Sequence, residues 1–154
     1  MKFASGQYLL LHYRDNYFLG VPLKDILGVY PKGEITPVPN TREDILGLAN
    51  LEGRIVPIHD TISRFNLKLE IGEEPYIVLL KTGSGELGIS VPRDFDVIQI
   101  SKKQIEKAQE VLSELKKKDY LLIPAKEKNI VILDIINMDT KISDLVKRDS
   151  AQKD

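Results

Sequence analysis

The adjacent pair His59-Asp60 is the first group in this sequence that could do chemistry. A histidine beside a carboxylate can act in general acid–base catalysis when both groups converge on one substrate. Neighbouring residues in a strand point to opposite faces, so the spacing favours a strand-end histidine followed by a helix-capping aspartate. A small hydrolase or ligand-binding barrel that uses His59 stays open as an alternative.

Two glycine-containing segments match catalytic motifs only in part. Residues 81–86, KTGSGE, lie between two predicted strands and do not lead into a helix. They therefore lack the helix-terminal amides that bind phosphate. The segment Gly88-Ile89-Ser90 lacks the second glycine of a nucleophile elbow. We predict a hairpin loop and a plain strand.

Composition narrows the classes of function further. Cysteine is absent from the 154 residues, which excludes disulfides, thiolate nucleophiles and sulfur-ligated zinc. His12 and His59 do not have the spacing of a helical metal site, so we predict no metal and no cofactor. Lys and Arg number 22 against 23 Asp and Glu, and without a positive field we expect no nucleic-acid partner.

No apolar stretch approaches the ~18 residues that a membrane-spanning helix needs. The N-terminal segment, MKFASGQYLLLHYRDN, is interrupted by His12 and Arg14 and does not resemble a signal peptide. We therefore expect a soluble cytoplasmic protein without direct membrane insertion. By elimination, recognition of other proteins is favoured over catalysis, and the chain is predicted not to be an enzyme.

The stretch ILGLANLEGRIVPIHD, residues 45–60, predicts two strands joined by a tight turn, because Gly53 can adopt positive φ. Other strands are predicted at 8–13 and 17–21. Several prolines and a glycine disfavour helix and strand in residues 31–44, so we predict a loop there. A short helical turn is expected around 60–65.

The pattern of strands then repeats along the chain. At a shift of 68 residues, Tyr8 to Leu11 aligns with Tyr76 to Leu79, Leu19-Gly20-Val21 aligns with Leu87-Gly88-Ile89, and Val29 aligns with Val97. Farther along, the shift grows to 75 residues, so that Leu46 aligns with Leu121 and Ile55-Val56 aligns with Ile130-Val131. These matches predict an internal duplication.

The insertion that lengthens the shift is predicted to be a helix. Ser101 can cap it, and one apolar face follows at helical spacing: Ile105, Ala108, Val111, Leu112 and Leu115. Its lysines, and those at 116–118, alternate with glutamates on a solvated face.

About five short strands in each half favour small barrels over a flat sheet with exposed edges. We predict a mainly β protein, a single domain over 1–154, with two five-stranded barrel lobes related by a pseudo-two-fold axis and one or two short helices. Lobe one is expected at about 8–67, lobe two at about 76–138, and a C-terminal helix (near 143–147) and tail at 140–154.

Three segments resemble the signature of CheW-like adaptor domains, which runs roughly ITPVP, GVxNLRGxIVPVxDL and RFGL. They are residues 35–39, 45–60 and 64–67, and strands at 86–91, 97–100 and 130–134 are similar to later strands of the family. The resemblance implies SH3-like barrels and a non-enzymatic scaffold. It also implies two partners, the regulatory domain of a CheA-type histidine kinase and the cytoplasmic tip of a chemoreceptor.

The resemblance also implies a set of partner-binding residues. They are Ile26, Val29, Gly47, Asn50, Leu51, Glu52, Gly53, Gly88 and Val97. Glu52 stands where the family usually has arginine, which reverses the charge at this position. Thr61, Asn66 and the pair Lys128-Asn129 also depart from the pattern.

Other interpretations of these residues stay open. Gly47 and Gly53 could serve turn geometry alone, and Ile26, Val29 or Val97 could belong to the core. The departure at position 52 motivates an alternative function, a diverged module that self-associates or has a structural role and no longer binds the usual kinase.

Overall fold

The computed structural model describes residues 3–12, 17–60, 73–115, 120–125 and 127–133. The strands in this part of the chain are β1 (Gly6–His12), β2 (Tyr17–Pro22), β3 (Ile26–Pro31), β4 (Ile45–Leu51), β5 (Arg54–His59), β6 (Tyr76–Lys81), β7 (Glu86–Val91), β8 (Phe95–Ile100), β9 (Tyr120–Ala125) and β10 (Lys128–Leu133). The same part of the chain contains one α-helix, α1 (Lys102–Leu115), and a short 3-10 helix (Leu23–Asp25).

Each of the two five-stranded sheets takes strands from both halves of the sequence. The order is β8-β1-β2-β10-β9 in one sheet, lobe A, and β3-β6-β7-β5-β4 in the other, lobe B. The lobes therefore do not follow the predicted boundaries at 8–67 and 76–138. The hairpin β1-β2 pairs with the strands of the second half, and the hairpin β6-β7 pairs with those of the first half.

The two sheets have equivalent topologies, which confirms the predicted pseudo-two-fold relation. Each strand of β1 to β5 has an equivalent five places later, in β6 to β10. Exchanging every strand for its equivalent converts the strand order of lobe A into that of lobe B. The parallel pairs, β2-β10 and β7-β5, also correspond. In the second hairpin of each half, β4-β5 and β9-β10, Leu51 pairs with Arg54 and Ala125 pairs with Lys128. The shift between equivalent residues of these two hairpins is therefore one residue smaller than the predicted 75.

Strands β1 and β6 are buried on both faces, which explains their continuous apolar sequences. One face of each strand lies in a core between the two sheets, here called the central core. It consists of Leu9, Leu11, Leu19, Val21, Val78, Leu80, Leu87, Ile89, Val91 and Val131. The other face of β1 packs inside lobe A through Tyr8 and Leu10, and that of β6 packs inside lobe B through Ile77 and Leu79.

Helix α1 begins at the predicted cap and covers the core of lobe A. The Ser101 hydroxyl accepts the Gln104 N–H at 3.2 Å, and the Gln104 side-chain oxygen accepts the Ser101 N–H at 2.9 Å, a reciprocal capping box. Ile105 and Ala108 are buried there, as predicted. The predicted contributions of Val111, Leu112 and Leu115 rest on side chains that the structure does not describe. Residues 61–65 and 143–147, where further helices are expected, lie outside the described residues.

The central core should dominate stability. Leu80→Ala removes a fully buried side chain from it, so we expect the free energy of unfolding to fall by about 2–5 kcal/mol. Leu122→Ala is the matched control because Leu122 is 46% exposed, and its effect should stay within about 0.5 kcal/mol. Urea unfolding of both variants tests this, and equal losses would contradict it.

Candidate partner-binding surface

The turn between β4 and β5 has two residues in the left-handed region. Glu52 has φ of 53° and Gly53 has φ of 90°, the signs of a type I′ turn, whose twist suits a hairpin. The side-chain oxygen of Asn50 accepts the Gly53 N–H at 2.8 Å and closes the turn. The predicted positive φ of Gly53 is therefore present, and Glu52 shares it, which is uncommon for a residue with a side chain.

Three side chains are exposed around this turn. Asn50 and Ile55 pair across β4 and β5, so they lie on the same face, and Ile55 is 62% exposed. Glu52 is exposed at the tip. We call Asn50, Glu52, Gly53 and Ile55 the turn surface. Leu51, in the predicted binding set, is only 5% exposed because it packs in the core of lobe B.

Ile55 is the residue of this surface that the sequence analysis did not select. The signal that could have identified it is the alternation along β5. Val56 and Ile58 point into lobe B, so Ile55 between the turn and Val56 must point outward.

Of the two charged residues at this turn, Arg54 forms an ion pair with another described residue and Glu52 does not. The Arg54 guanidinium lies 2.7 Å from the Glu86 carboxylate at the start of β7. Glu52 has no ion pair with any residue in the described part of the chain. Arg54 therefore neutralises Glu86 and does not supply the positive charge that position 52 lacks.

Gly47 allows a loop to approach β4. It lies at a bulge in the β4-β5 pairing and has φ of 144°. A Cβ there would collide with the carbonyl oxygen of Thr36, and Thr36 exchanges two backbone hydrogen bonds with Leu48, at 2.8 and 2.9 Å. Glycine at this position thus keeps the loop of residues 32–44 against the sheet.

Gly88 allows the parallel contact between β7 and β5. A Cβ there would lie 2.6 Å from the Ile58 side chain and 2.9 Å from that of Ile77, both fully buried. Any larger residue would push these side chains apart. Gly88 is therefore a packing residue in the interior of lobe B, although it was predicted to bind partners.

The remaining predicted residues lie on edge strands. Val29 on β3 is 45% exposed and Val97 on β8 is 47% exposed, at equivalent positions of the two lobes. Ile26 is partly buried against the central core. Strand β3 is at the opposite edge of lobe B from β4, so the structure does not gather the predicted residues into one site.

His59 is at the end of β5 and fully buried, so it does not face an open cleft. Its Nδ1 lies 3.5 Å from Oδ2 of Asp44, and Arg42 donates to both oxygens of that carboxylate at 3.0 and 2.9 Å. This cluster ties residues 42–44 to β5. The hydrolase alternative based on His59 loses its support, because a substrate cannot reach a fully buried imidazole.

The glycine-containing segments are structural, as predicted. Thr82 closes the β6-β7 turn by accepting the Gly85 N–H at 3.1 Å. Ser90 is buried in β7, and its hydroxyl accepts a hydrogen bond from Lys32 at 3.0 Å. Within the described ranges, no three His, Asp or Glu residues are placed to hold a metal. The same ranges contain no helix long and apolar enough to cross a membrane.

These features define a class of protein, a double-barrel module with exposed edge strands and an exposed hairpin turn. Its family follows from comparison with known proteins. Residues 7–140 match the family model of the CheW-like domain. The chain therefore belongs to the CheW-like domain family, a family of scaffold adaptors in chemotaxis signalling.

Individual relatives agree with this assignment. The chain is 29% identical over 121 residues to the chemotaxis protein CheW of Thermotoga maritima, covering 79% of this chain and 80% of that protein. It is 29% identical over 106 residues to chemotaxis protein CheW of Klebsiella aerogenes, covering 68% and 64%. The crystal structure of the scaffolding protein TtCheW from Thermoanaerobacter tengcongensis superposes with a TM-score of 0.65, over 85% of both chains at 20% identity, and shows the same fold.

A carboxyl group near the interior of lobe B should make stability depend on pH. Burial, with Asp60 nearby, raises the pKa of Glu74 to about 7 from an ordinary value of 4.5, although Lys32 and Ser90 oppose the shift. The folded protein therefore holds a proton that the unfolded chain releases between these values. This contribution is full below pH 4.5 and is lost as pH rises through about 7.

We expect Glu74→Gln to remove this pH dependence. Between pH 5 and pH 8 the wild-type protein should lose on the order of 1 kcal/mol more than the variant, after allowance for partial exposure of the carboxyl. Urea unfolding at both pH values measures the difference. Glu73→Gln, at an exposed neighbour, is the control, and an equal loss in wild type and Glu74→Gln would contradict the expectation.

Proposed function

We propose that this chain is a non-enzymatic cytoplasmic adaptor that couples chemoreceptors to a CheA-type histidine kinase. The observation that carries the proposal is the family match over residues 7–140, together with the family's turn placed on an exposed hairpin. The proposed partners are the kinase regulatory domain and the receptor's cytoplasmic tip.

The proposed mechanism is geometric. The central core joins two lobes that share the hairpins β1-β2 and β6-β7, so surfaces on different lobes keep a fixed relation. A receptor bound at one surface is then held at a fixed position relative to a kinase domain bound at another. A change in the receptor's conformation thus acts on the kinase through a rigid connector.

The predicted binding residues divide into two proposed roles. Val29, Val97, Asn50, Glu52 and Gly53 are exposed and are proposed to lie at partner interfaces. Such interfaces depend on a few apolar anchors within a polar rim, a pattern that the exposed valines fit.

The other four predicted residues are proposed to support the binding surfaces without contacting a partner. Ile26, Gly47, Leu51 and Gly88 are buried or partly buried, so they are proposed to hold the backbone beneath the binding surfaces. Their substitution would weaken binding by displacing the exposed residues.

Calorimetric titration of the protein with each partner from the same genome tests the proposal. We expect dissociation constants in the micromolar range or below for the kinase regulatory domain. Gly53→Val should raise the constant about tenfold, because a β-branched residue disfavours φ of 90° and distorts the turn.

Gly33→Val is the matched control, since Gly33 is exposed in a loop with open space around it. Its binding should equal that of the wild type. Absence of wild-type binding to both partners would refute the adaptor function, and unchanged binding by Gly53→Val would refute the role of the turn.

One observation favours a second candidate, a module that self-associates. Two of the edge strands expose apolar side chains, Leu27 and Val29 on β3 and Phe95 and Val97 on β8. Edges of this kind can pair with a second copy. Light scattering over a concentration series would favour this candidate if it showed a dimer in a protein that binds neither proposed partner.

A further inference from the structure

We infer that Lys32, Glu74 and Ser90 form a proton-linked latch at one end of lobe B. A proton on Glu74 keeps residues 73–75 closed against the end of β3, and loss of that proton favours local opening. The latch is a regulatory property of the fold and does not depend on the adaptor function.

The latch lies where the edge strand β3 ends and β6 begins. Pro31, the last residue of β3, pairs with Tyr76, the first residue of β6. One backbone hydrogen bond continues this ladder, from the Lys32 N–H to the Pro75 carbonyl at 2.8 Å. Pro75 has no N–H to donate in return. The backbone thus provides a single hydrogen bond between these two residues, and side chains add to it.

Ser90 connects the two sides of the junction. It lies on β7, the strand beside β6, and is only 1% exposed. Its hydroxyl accepts a hydrogen bond from Lys32 Nζ at 3.0 Å and shares another with the Glu74 carboxyl. A hydroxyl can take part in both bonds, since it has one donor and two acceptor positions. The residue after β3 and the segment before β6 are therefore joined through one buried side chain.

The charges around Glu74 oppose one another. Among the described residues, Asp60 at the end of β5 repels its carboxylate and Lys32 attracts it. The Asp60 N–H donates to the Asp44 carbonyl at 2.8 Å, which holds the backbone of Asp60 in place. Burial and Asp60 outweigh Lys32 and Ser90, and they raise the pKa of Glu74 to about 7. The closed latch therefore favours a neutral carboxyl.

A second cluster of charged and titratable groups lies at this end of the lobe. Its members, His59, Arg42 and Asp44, contact one another. Arg42 donates to both oxygens of the Asp44 carboxylate, so these two charges largely offset each other. The carboxylate that opposes ionisation of Glu74 is therefore that of Asp60.

Opening of the latch is coupled to release of a proton. An open segment exposes the Glu74 carboxyl to water, where its pKa returns towards 4.5. The closed state is therefore fully favoured by this group below pH 4.5, and the advantage is lost as pH rises through about 7. Local opening of this kind needs less free energy than unfolding of the whole chain. Its effect reaches the end of β3, the edge strand that carries the exposed Val29.

Hydrogen exchange of the Lys32 amide, followed by NMR on the full chain at pH 6 and pH 8, tests the inference. The protection factor corrects for the faster intrinsic exchange at high pH. In the wild type it should fall about fivefold, after allowance for partial exposure of the carboxyl. In Glu74→Gln it should be the same at both pH values, because the amide side chain does not ionise.

The Thr82 amide is the control within the same molecule. It donates to the Gly85 carbonyl at 2.7 Å, beyond the other end of β6, so its local opening does not expose Glu74. Its protection factor should not change between the two pH values. Glu73→Gln alters the exposed neighbour of Glu74 and is the control variant, which should respond to pH as the wild type does.

A second measurement tests the groups assigned to the latch. The carbon chemical shift of the Glu74 carboxyl, followed against pH, should have its midpoint near 7 in the wild type. The midpoint should fall in Asp60→Asn, which removes the repelling charge, and rise in Lys32→Met, which removes the attracting one.

Three results would overturn the inference. One is a Lys32 protection factor that responds to pH equally in the wild type and in Glu74→Gln. Another is an equal loss of protection at Lys32 and Thr82, which would show that the proton acts on the whole fold and not on the latch. The third is a wild-type carboxyl midpoint near 4.5. No partner enters these measurements, so their outcome is separate from that of the adaptor function.

Discussion

The burial of both faces of β1 and β6 is the constraint on which the rest of the structure depends. Alternate residues of these strands serve two cores at once: Leu9 and Leu11 lie between the lobes, whereas Tyr8 and Leu10 lie inside lobe A. Neither lobe can therefore bury its apolar residues without the other. The fixed relation between distant surfaces, which an adaptor needs, follows from this shared core and needs no separate hinge or clamp.

The exchange of hairpins between the two halves of the sequence makes each lobe still more dependent on the other. Each sheet needs strands from both halves, so the duplication produces one cooperative unit and not two independent domains. Close packing at the parallel contacts accompanies the exchange, since Gly88 brings β7 against Ile58 of β5 and the side chain of Ile77. Disturbing one of these contacts is expected to affect both halves of the chain.

Local features of the sequence predicted most of the elements and little of how they combine. The helix cap at Ser101 and the turn at Gly53 follow from residues three or fewer positions apart, so they could be identified. The pairing of β1 with β8, nearly ninety residues later, depends on which sheets stack, and strand patterns do not encode it. Leu51 entered the predicted binding set through the family resemblance, although it packs in the core of lobe B. The contact of His59 with Asp44, fifteen residues earlier, was not foreseen because it depends on how the loop before β4 lies against β5.

The charge at the turn between β4 and β5 can change without a change in the fold. Its backbone is determined by Asn50, which bonds the Gly53 amide, and by Leu51, which packs in the core. Glu52 is exposed and has no ion pair with the described residues, so the fold places little constraint on its charge. A substitution there alters what a partner meets and leaves the hairpin in place. Under the proposed function, position 52 sets the charge that a partner meets at this turn, and a change of that charge requires a matching change in the partner.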